Sequence, residues 1–145
     1  MQEASPVPGG TRPTPLPAKP AAKRVVLVVD DDPDMQRWAA AILQQAGFRV
    51  VPALDGMTAL SLARSSKPNV MLLDLGLPAG GGKLVLERLR RIAPLRALPV
   101  LVLSARITPD TAAELAPFGV TTLLEKPIEP ARLVEAVNEA LAPPT

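Results

Sequence analysis

Five polar positions interrupt or close apolar runs. Asp30 and Asp31 follow Val25 to Val29, Asp74 follows Val70 to Leu73, Ser104 follows Val100 to Leu103, and Lys126 lies just past Val120 to Leu124. The chain's 145 residues include no histidine and no cysteine. This excludes imidazole acid–base chemistry, thiol nucleophiles, disulfides and zinc sites of the Cys/His kind. What remains is the chemistry of carboxylates, a hydroxyl and an amine. Three carboxylates at one place repel one another, at roughly 4 kcal/mol per close pair for an effective dielectric near 20, so cations must sit among them. Lys126 supplies one charge and a divalent ion the rest. An all-oxygen donor set favours Mg²⁺, which takes one or two carboxylates plus a phosphate oxygen. A carboxylate in that setting is a nucleophile able to accept a phosphoryl group as an acyl phosphate. Such a transfer depends mainly on in-line positioning and on neutralising the phosphoryl oxygens, for which no histidine is required.

These residues need a scaffold that delivers them to one place. Val25 to Val29, Phe48 to Ala53, Val70 to Leu73, Val100 to Leu103 and Val120 to Leu124 read as short strands, the first an unbroken apolar run suited to burial on both sheet faces. Helical spacing fills the intervals. Asp32 caps a first helix with Pro33 at its first position, Met35, Trp38, Ala39, Ile42, Leu43 and Ala46 recur along it, and Gly47 closes it. Asp55-Gly56 opens a second helix, and a third spans roughly Lys83 to Ile92. A fourth begins at Pro109 and is stopped by Pro117 and Gly119, and a last one runs from about Pro130 through Leu133, Val137 and Leu141. Pro52 cannot donate to a ladder, so the second strand belongs at a sheet edge. Repeated β/α units with short connections define an α/β fold, a parallel sheet with helices on both faces. Sites in such sheets lie at the carboxyl ends of the strands. All five chemistry-bearing positions fall on that rim. Singly, each is an ordinary loop or capping residue. A lysine among three carboxylates on one rim is not what capping alone produces.

Charge separates the chain into two regions. Residues 1–24 hold Arg12, Lys19, Lys23 and Arg24 against Glu3, a net +3, and the remainder carries one net negative charge. That first segment also contains six prolines, which suits a disordered basic tail, or a polyproline-type or basic docking segment. Residues 25–142 form the domain and 143–145 the C-terminal end. Trp38, Phe48 and Phe118 are its only aromatics, so it lacks the basic face and stacking platforms that nucleic-acid binding uses. No apolar run approaches membrane-spanning length and no secretory leader is evident.

Val29-Asp30-Asp31, Leu73-Asp74-Leu75-Gly76-Leu77-Pro78, Leu103-Ser104-Ala105 and Glu125-Lys126-Pro127, in this order between residues 25 and about 142, resemble the motifs of two-component response regulator receiver domains. The likeness is to the single-domain, chemotaxis-regulator-like members. It implies a flavodoxin-like doubly wound (βα)5 fold with a five-stranded parallel sheet in the order 2-1-3-4-5. It implies that Asp74 accepts a phosphoryl group from the phosphohistidine of a sensor histidine kinase or phosphotransfer protein. Asp31, Asp74 and the Gly76 carbonyl then ligate Mg²⁺, and Asp30 holds the waters around it. Lys126 pairs with one phosphoryl oxygen, Ser104 swings inward to another, and Lys126-Pro127 is a candidate cis peptide. A downstream protein target would read a surface made by the fourth helix, fifth strand and fifth helix. By the same likeness the protein is a cytoplasmic signalling switch, not an enzyme beyond its own phosphorylation and dephosphorylation. It has no nucleic-acid or membrane partner, and is a monomer or a weak phosphorylation-dependent dimer. Asp32 has no ligand role and serves as a cap.

Two departures from the family pattern stand out. Leu123 occupies the position, three residues before Lys126, where a Tyr or Phe commonly changes rotamer on phosphorylation, so a weaker or different coupling of Ser104 to the output surface is expected. The loop Ala79-Gly80-Gly81-Gly82 replaces a Met-Asp-Gly type turn and offers access to positive φ. Gly76 places no side chain over the acyl phosphate, and Arg106 stands two residues past Ser104. Arg106 and the bare loop are expected to modulate phosphoryl lifetime by governing water access. A pseudo-receiver, an interaction module read without phosphorylation, is the alternative that Leu123 sustains. A haloacid-dehalogenase-like phosphatase would need an aspartate where Gly76 stands. A flavin carrier would need a hydroxyl- and glycine-rich loop after the first strand. The sequence holds no output domain after the last helix and reads as a single-domain regulator or a receiver cut from something longer.

Overall fold

The computed structural model describes residues 23–78, 81–120 and 122–142. The tail expected over the first residues, the Ala79-Gly80 part of the glycine loop and the C-terminal end at 143–145 lie outside the described residues, save Lys23 and Arg24. The elements in chain order are β1 (Val25–Val29), α1 (Pro33–Gln45), β2 (Arg49–Ala53), α2 (Gly56–Ser65), β3 (Val70–Asp74), α3 (Gly81–Leu89), β4 (Val100–Ser104), α4 (Pro109–Leu115), β5 (Thr122–Glu125) and α5 (Pro130–Leu141). The strands are all parallel, in the order β2-β1-β3-β4-β5.

Period-two alternation sorts the strand side chains onto two faces. Leu27, Val29, Met71, Leu73, Val100 and Val102 pack with α2 and α3 through Ala59, Ala63, Val85, Leu86 and Leu89. Val26, Val28, Val70, Leu72, Leu101 and Leu103 pack with α1 and α5 through Ala39, Leu43, Leu133, Ala136 and Val137. β1, β3 and β4 are buried along their full length, which is why they read as continuous apolar runs. β2 lies at the edge, where Pro52 leaves no inner ladder bond unmade. Asp32 caps α1 as expected, its carboxylate accepting from the Asp34 N–H at 2.9 Å. Among the described residues, no helix is long and apolar enough to cross a membrane.

Several boundaries differ from the sequence reading, among them the start of β2, which is Arg49 and not Phe48. α3 begins at Gly81 and ends at Leu89, not Ile92, because the N–H groups of Arg91 and Ile92 bond back only three residues, a tightening that ends the α-helix. β5 starts at Thr122, not Val120. A 3-10 turn over Ala116–Phe118 and Gly119 at φ 64° redirect the chain, and the ladder begins only where Thr122 meets Leu101. Asp74 and Ser104 are the last residues of their strands, so their backbones are held by the sheet, not by loops.

The turns at the opposite end of the sheet are tied together by one side chain that the sequence reading passed over. The Arg90 guanidinium donates to the carbonyls of Phe118 at 2.7 Å, Leu98 at 2.8 Å, Leu95 at 3.1 Å, Arg96 at 3.2 Å and Gly119 at 3.3 Å. Burial lowers its pKa from the ordinary arginine value, yet a guanidinium stays charged throughout the working range.

Candidate functional site

The parallel register fixes where the polar residues meet. Val29 pairs with Ala53 and Leu73, Asp74 with Leu103, and Ser104 with Glu125. The ladder continues one step beyond the strands. The Leu75 N–H donates to the Leu103 carbonyl and the Lys126 N–H to the Ser104 carbonyl, both at 2.8 Å. Asp30, Asp74, Ser104 and Lys126 therefore sit side by side on one rim. Among the described residues, the buried polar side chains are Asp30, Asp74, Ser104 and Gln36. The first three are positions singled out from sequence.

Lys126 bridges the two buried carboxylates. Its Nζ lies 3.2 Å from Asp30 Oδ2 and 3.5 Å from Asp74 Oδ1. Asp30, Asp31 and Asp74 each place a carboxylate oxygen within 4.8 Å of the others, Asp31 being the exposed member. Asp30, only 1% exposed, has its pKa raised above the ordinary value of 3.8. Desolvation is the main cause and the nearby Asp74 adds to it, against the Asp32 N–H bond and Lys126. For Lys126, burial alone would lower the pKa, but the charges and hydrogen bonds of Asp74 and Asp30 together outweigh it and raise the value above 10.5. The stabilising part of this ammonium is thus fully present below pH 10.5 and is lost as pH climbs through the higher folded value. In metal-free buffer, urea unfolding followed upward from pH 9 or so should show a larger alkaline loss for wild type than for Lys126→Met. Equal losses would show that the ammonium contributes no stability.

A donor set of three carboxylates without nitrogen or sulfur fits a hard divalent cation such as Mg²⁺. The Gly76 N–H donates to Asp74 Oδ1 at 2.9 Å, which draws the turn after β3 tightly around this carboxylate. A methyl group at Gly76 would meet that same oxygen at 3.4 Å, so glycine does leave the approach to Asp74 uncovered. Ser104 donates its hydroxyl to the Arg106 carbonyl at 2.8 Å. The Arg106 N–H completes the pair by donating to Ser104 Oγ at 3.3 Å. Arg106 itself is exposed. Leu123 is half-buried against the core on the α2 and α3 side. Lys126-Pro127 is cis.

Gln36 is the positioning residue that the sequence reading missed. Its side-chain amide donates to the carbonyls of Val28 at 2.9 Å, Asp30 at 3.0 Å and Ala53 at 2.9 Å. It thereby clamps the ends of β1 and β2 beneath the acidic pair. The available signal was spacing: Gln36, Ala39 and Leu43 share the buried face of α1, where an amide must find partners.

The glycines after Pro78 act differently from the expectation of positive φ. Gly81 and Gly82 form the first turn of α3, and the positive-φ glycines among the described residues are Gly47 and Gly119. What Gly82 provides is close approach. A Cβ there would lie 2.7 Å from Leu75 Cα and 2.8 Å from the Asp74 carbonyl oxygen. Gly82→Ala should therefore displace the turn that carries Asp74 and cost about 1–3 kcal/mol. A shifted denaturant midpoint would register it, and an unchanged midpoint would show that the turn gives way freely.

The fold is thus a doubly wound α/β sheet that carries a lysine-bridged acidic cluster at its carboxyl rim. The comparisons with known proteins agree, since residues 26–138 match the response regulator receiver domain family, and the chain belongs to that family. It is 29% identical over 117 residues to Protein PilH of Pseudomonas aeruginosa, covering 81% of this chain and 97% of that one. It is 37% identical over 116 residues to the transcriptional regulatory protein PrrA of Mycobacterium tuberculosis, covering 80% of this chain and 49% of PrrA. The chain thus spans about half the length of that regulator, and only 7% of a hybrid histidine kinase it also matches. In structure it is similar to the chemotaxis protein CheY4 of Vibrio cholerae, with a TM-score of 0.79 at 29% identity, covering 83% of this chain and all of that one.

Proposed function

We propose that the protein is a phosphorylation switch in which Asp74 accepts a phosphoryl group from the phosphohistidine of a histidine kinase or phosphotransfer partner. The observation that carries this reading is the Lys126 ammonium between Asp30 and Asp74, beside three clustered carboxylates. Asp74 Oδ1 is engaged by Gly76 and Lys126, while Oδ2 takes no hydrogen bond among the described residues, which leaves it as the attacking oxygen in this reading. An O–P bond forms as the donor's N–P bond breaks. Asp30, Asp31, Asp74 and the Gly76 carbonyl would hold Mg²⁺, which when bound supplies charge neutralisation for the phosphoryl oxygens. Lys126 supports one of those oxygens. Ser104 gives up its bond to Arg106 and turns to another, so the β4–α4 loop is what moves.

With Leu123 in the place of an aromatic, this loop movement carries the signal to the face of α4, β5 and α5, which a downstream protein reads. The protein modifies only itself, and Arg106 at the loop's exposed edge modulates the lifetime of the phosphoryl group. Acetyl phosphate and Mg²⁺ followed by intact mass test the reading. A gain of about 80 Da that requires the metal is the expected result, because an acyl phosphate adds one phosphoryl group per acceptor carboxylate. No gain would leave the domain a phosphorylation-independent interaction module.

A further inference from the structure

A crevice follows the seam between α2 and α3, away from the α4, β5 and α5 face. Its upper stretch, about 350 Å³, is bordered by Pro78 and Gly81. The middle stretch, about 600 Å³, shares Met57, Leu60 and Arg88 with the upper one. The lower stretch, about 780 Å³, shares Arg64 and Ile92 with the middle one. The three hollows, each sharing lining residues with the next, succeed one another along α2, about 15 Å for ten helical residues. At its upper end the two helices approach so closely that a Cβ on Gly56 would lie 2.9 Å from Val85 Cγ2.

Two properties converge on this seam. The large hydrophobic side chains exposed among the described residues are Met57 at 79%, Leu54 at 51% and Leu84 at 40%. Met57 and Leu84 line the crevice, and Leu54 directly precedes Asp55 at its head. Clustered exposed apolar groups of this kind mark interaction surfaces. The rim is cationic. Arg64, Arg88 and Arg91 line the middle stretch and Lys67 the lower one, whereas Asp55 is the one carboxylate among the lining residues. Asp55 is occupied in capping α2 through Thr58. None of the three arginines makes an ion pair among the described residues. This basic seam lies on a domain whose total charge is close to zero.

We propose that the α2–α3 crevice docks an acidic amphipathic helix of a partner protein, its apolar stripe set against Met57, Leu60 and Leu84 and its flanking carboxylates against Arg64, Arg88 and Arg91. Apolar anchors at i, i+3 or i+4, and i+7 span the length of the crevice. Charge selects this occupant over the two that the chain itself could supply. The first 24 residues carry a net +3, the same sign as the rim. A two-fold pairing of two copies through this face would set arginines against arginines. The docking is independent of phosphoryl transfer at Asp74, so the two readings stand or fall separately.

The probe is a fluorescein-labelled synthetic helical peptide of about 15 residues, long enough to follow the crevice, with leucines on one stripe and glutamates beside it. Anisotropy with the 145-residue chain should show saturable micromolar binding that weakens with salt. The Asp74→Asn chain should bind it equally. Met57→Glu and Arg88→Glu change exposed positions and should each weaken binding at least about tenfold while leaving the thermal midpoint within a degree or two. A peptide with lysine in place of glutamate should not bind. Amide shifts should concentrate in α2 and α3. Absent saturable binding, wild-type affinity in both variants, shifts centred on α4, β5 and α5, or self-association abolished by Met57→Glu would each overturn the proposal.

Discussion

Asp74→Asn will give a folded protein that gains no mass from acetyl phosphate, where the wild type gains about 80 Da through an acyl phosphate. The substitution is nearly isosteric and keeps an oxygen to accept the Gly76 N–H now held at 2.9 Å. It removes the nucleophile, because an amide oxygen forms no stable phosphoryl ester, and it removes one of three crowded negative charges. Lys126 then keeps its pairing with Asp30 alone. Relief of that repulsion should raise stability by about 1 kcal/mol in metal-free buffer, a few degrees in Tm. Mass spectrometry and thermal unfolding on one preparation check both parts. A persisting mass gain would place the acceptor elsewhere, and a fall in Tm would mean that Lys126 depends on the Asp74 charge more than the cluster suffers from it.

The largest stability loss is expected far from this rim, at Arg90. Arg90→Ala removes a charged donor from five backbone carbonyls at once, in the α3–β4 connection and in the turn before β5. Hydrogen bonds from charged groups contribute more than neutral ones, and acceptors left without a partner keep their desolvation cost, so a loss of about 3 kcal/mol is expected. Arg90→Lys should recover little of it, since an ammonium cannot span carbonyls that a planar fork reaches. Urea denaturation with an unchanged m-value checks this, and a loss below about 1 kcal/mol would show that water substitutes for the guanidinium. Ser104 and Lys126 stand at the far ends of the two strands that these turns launch, so a loosened Arg90 knot should also slow phosphorylation.

Strand content and the identities of the rim residues were legible because burial on two faces demands apolar runs, and a carboxylate, hydroxyl or amine closing such a run stands out; the sheet order came from the resemblance to receiver domains, not from the patterning. Pro52 likewise announced the edge strand. Gln36 was harder to see, because a glutamine on a helix looks like a solvent residue until the face it shares with Ala39 and Leu43 is found buried. The glycine run misled in the other direction. Backbone freedom was its visible property, whereas at Gly82 the operative one is the missing methyl against Leu75 and Asp74. Arg90 carried no pattern of its own, as its five acceptors come from two separate turns.

Local patterning was enough to place the polar residues at or beside the strand ends and to leave carboxylates, a hydroxyl and an amine as the groups they offer. Folding alone settled that Lys126 sits between Asp30 and Asp74, that the Ser104 hydroxyl rests on Arg106, and that α2 and α3 leave an apolar seam with an arginine rim. The reason is range. Alternation and capping act over a few residues, but Lys126 and Asp30 are 96 residues apart, and only the parallel register of the sheet brings them within 3.2 Å.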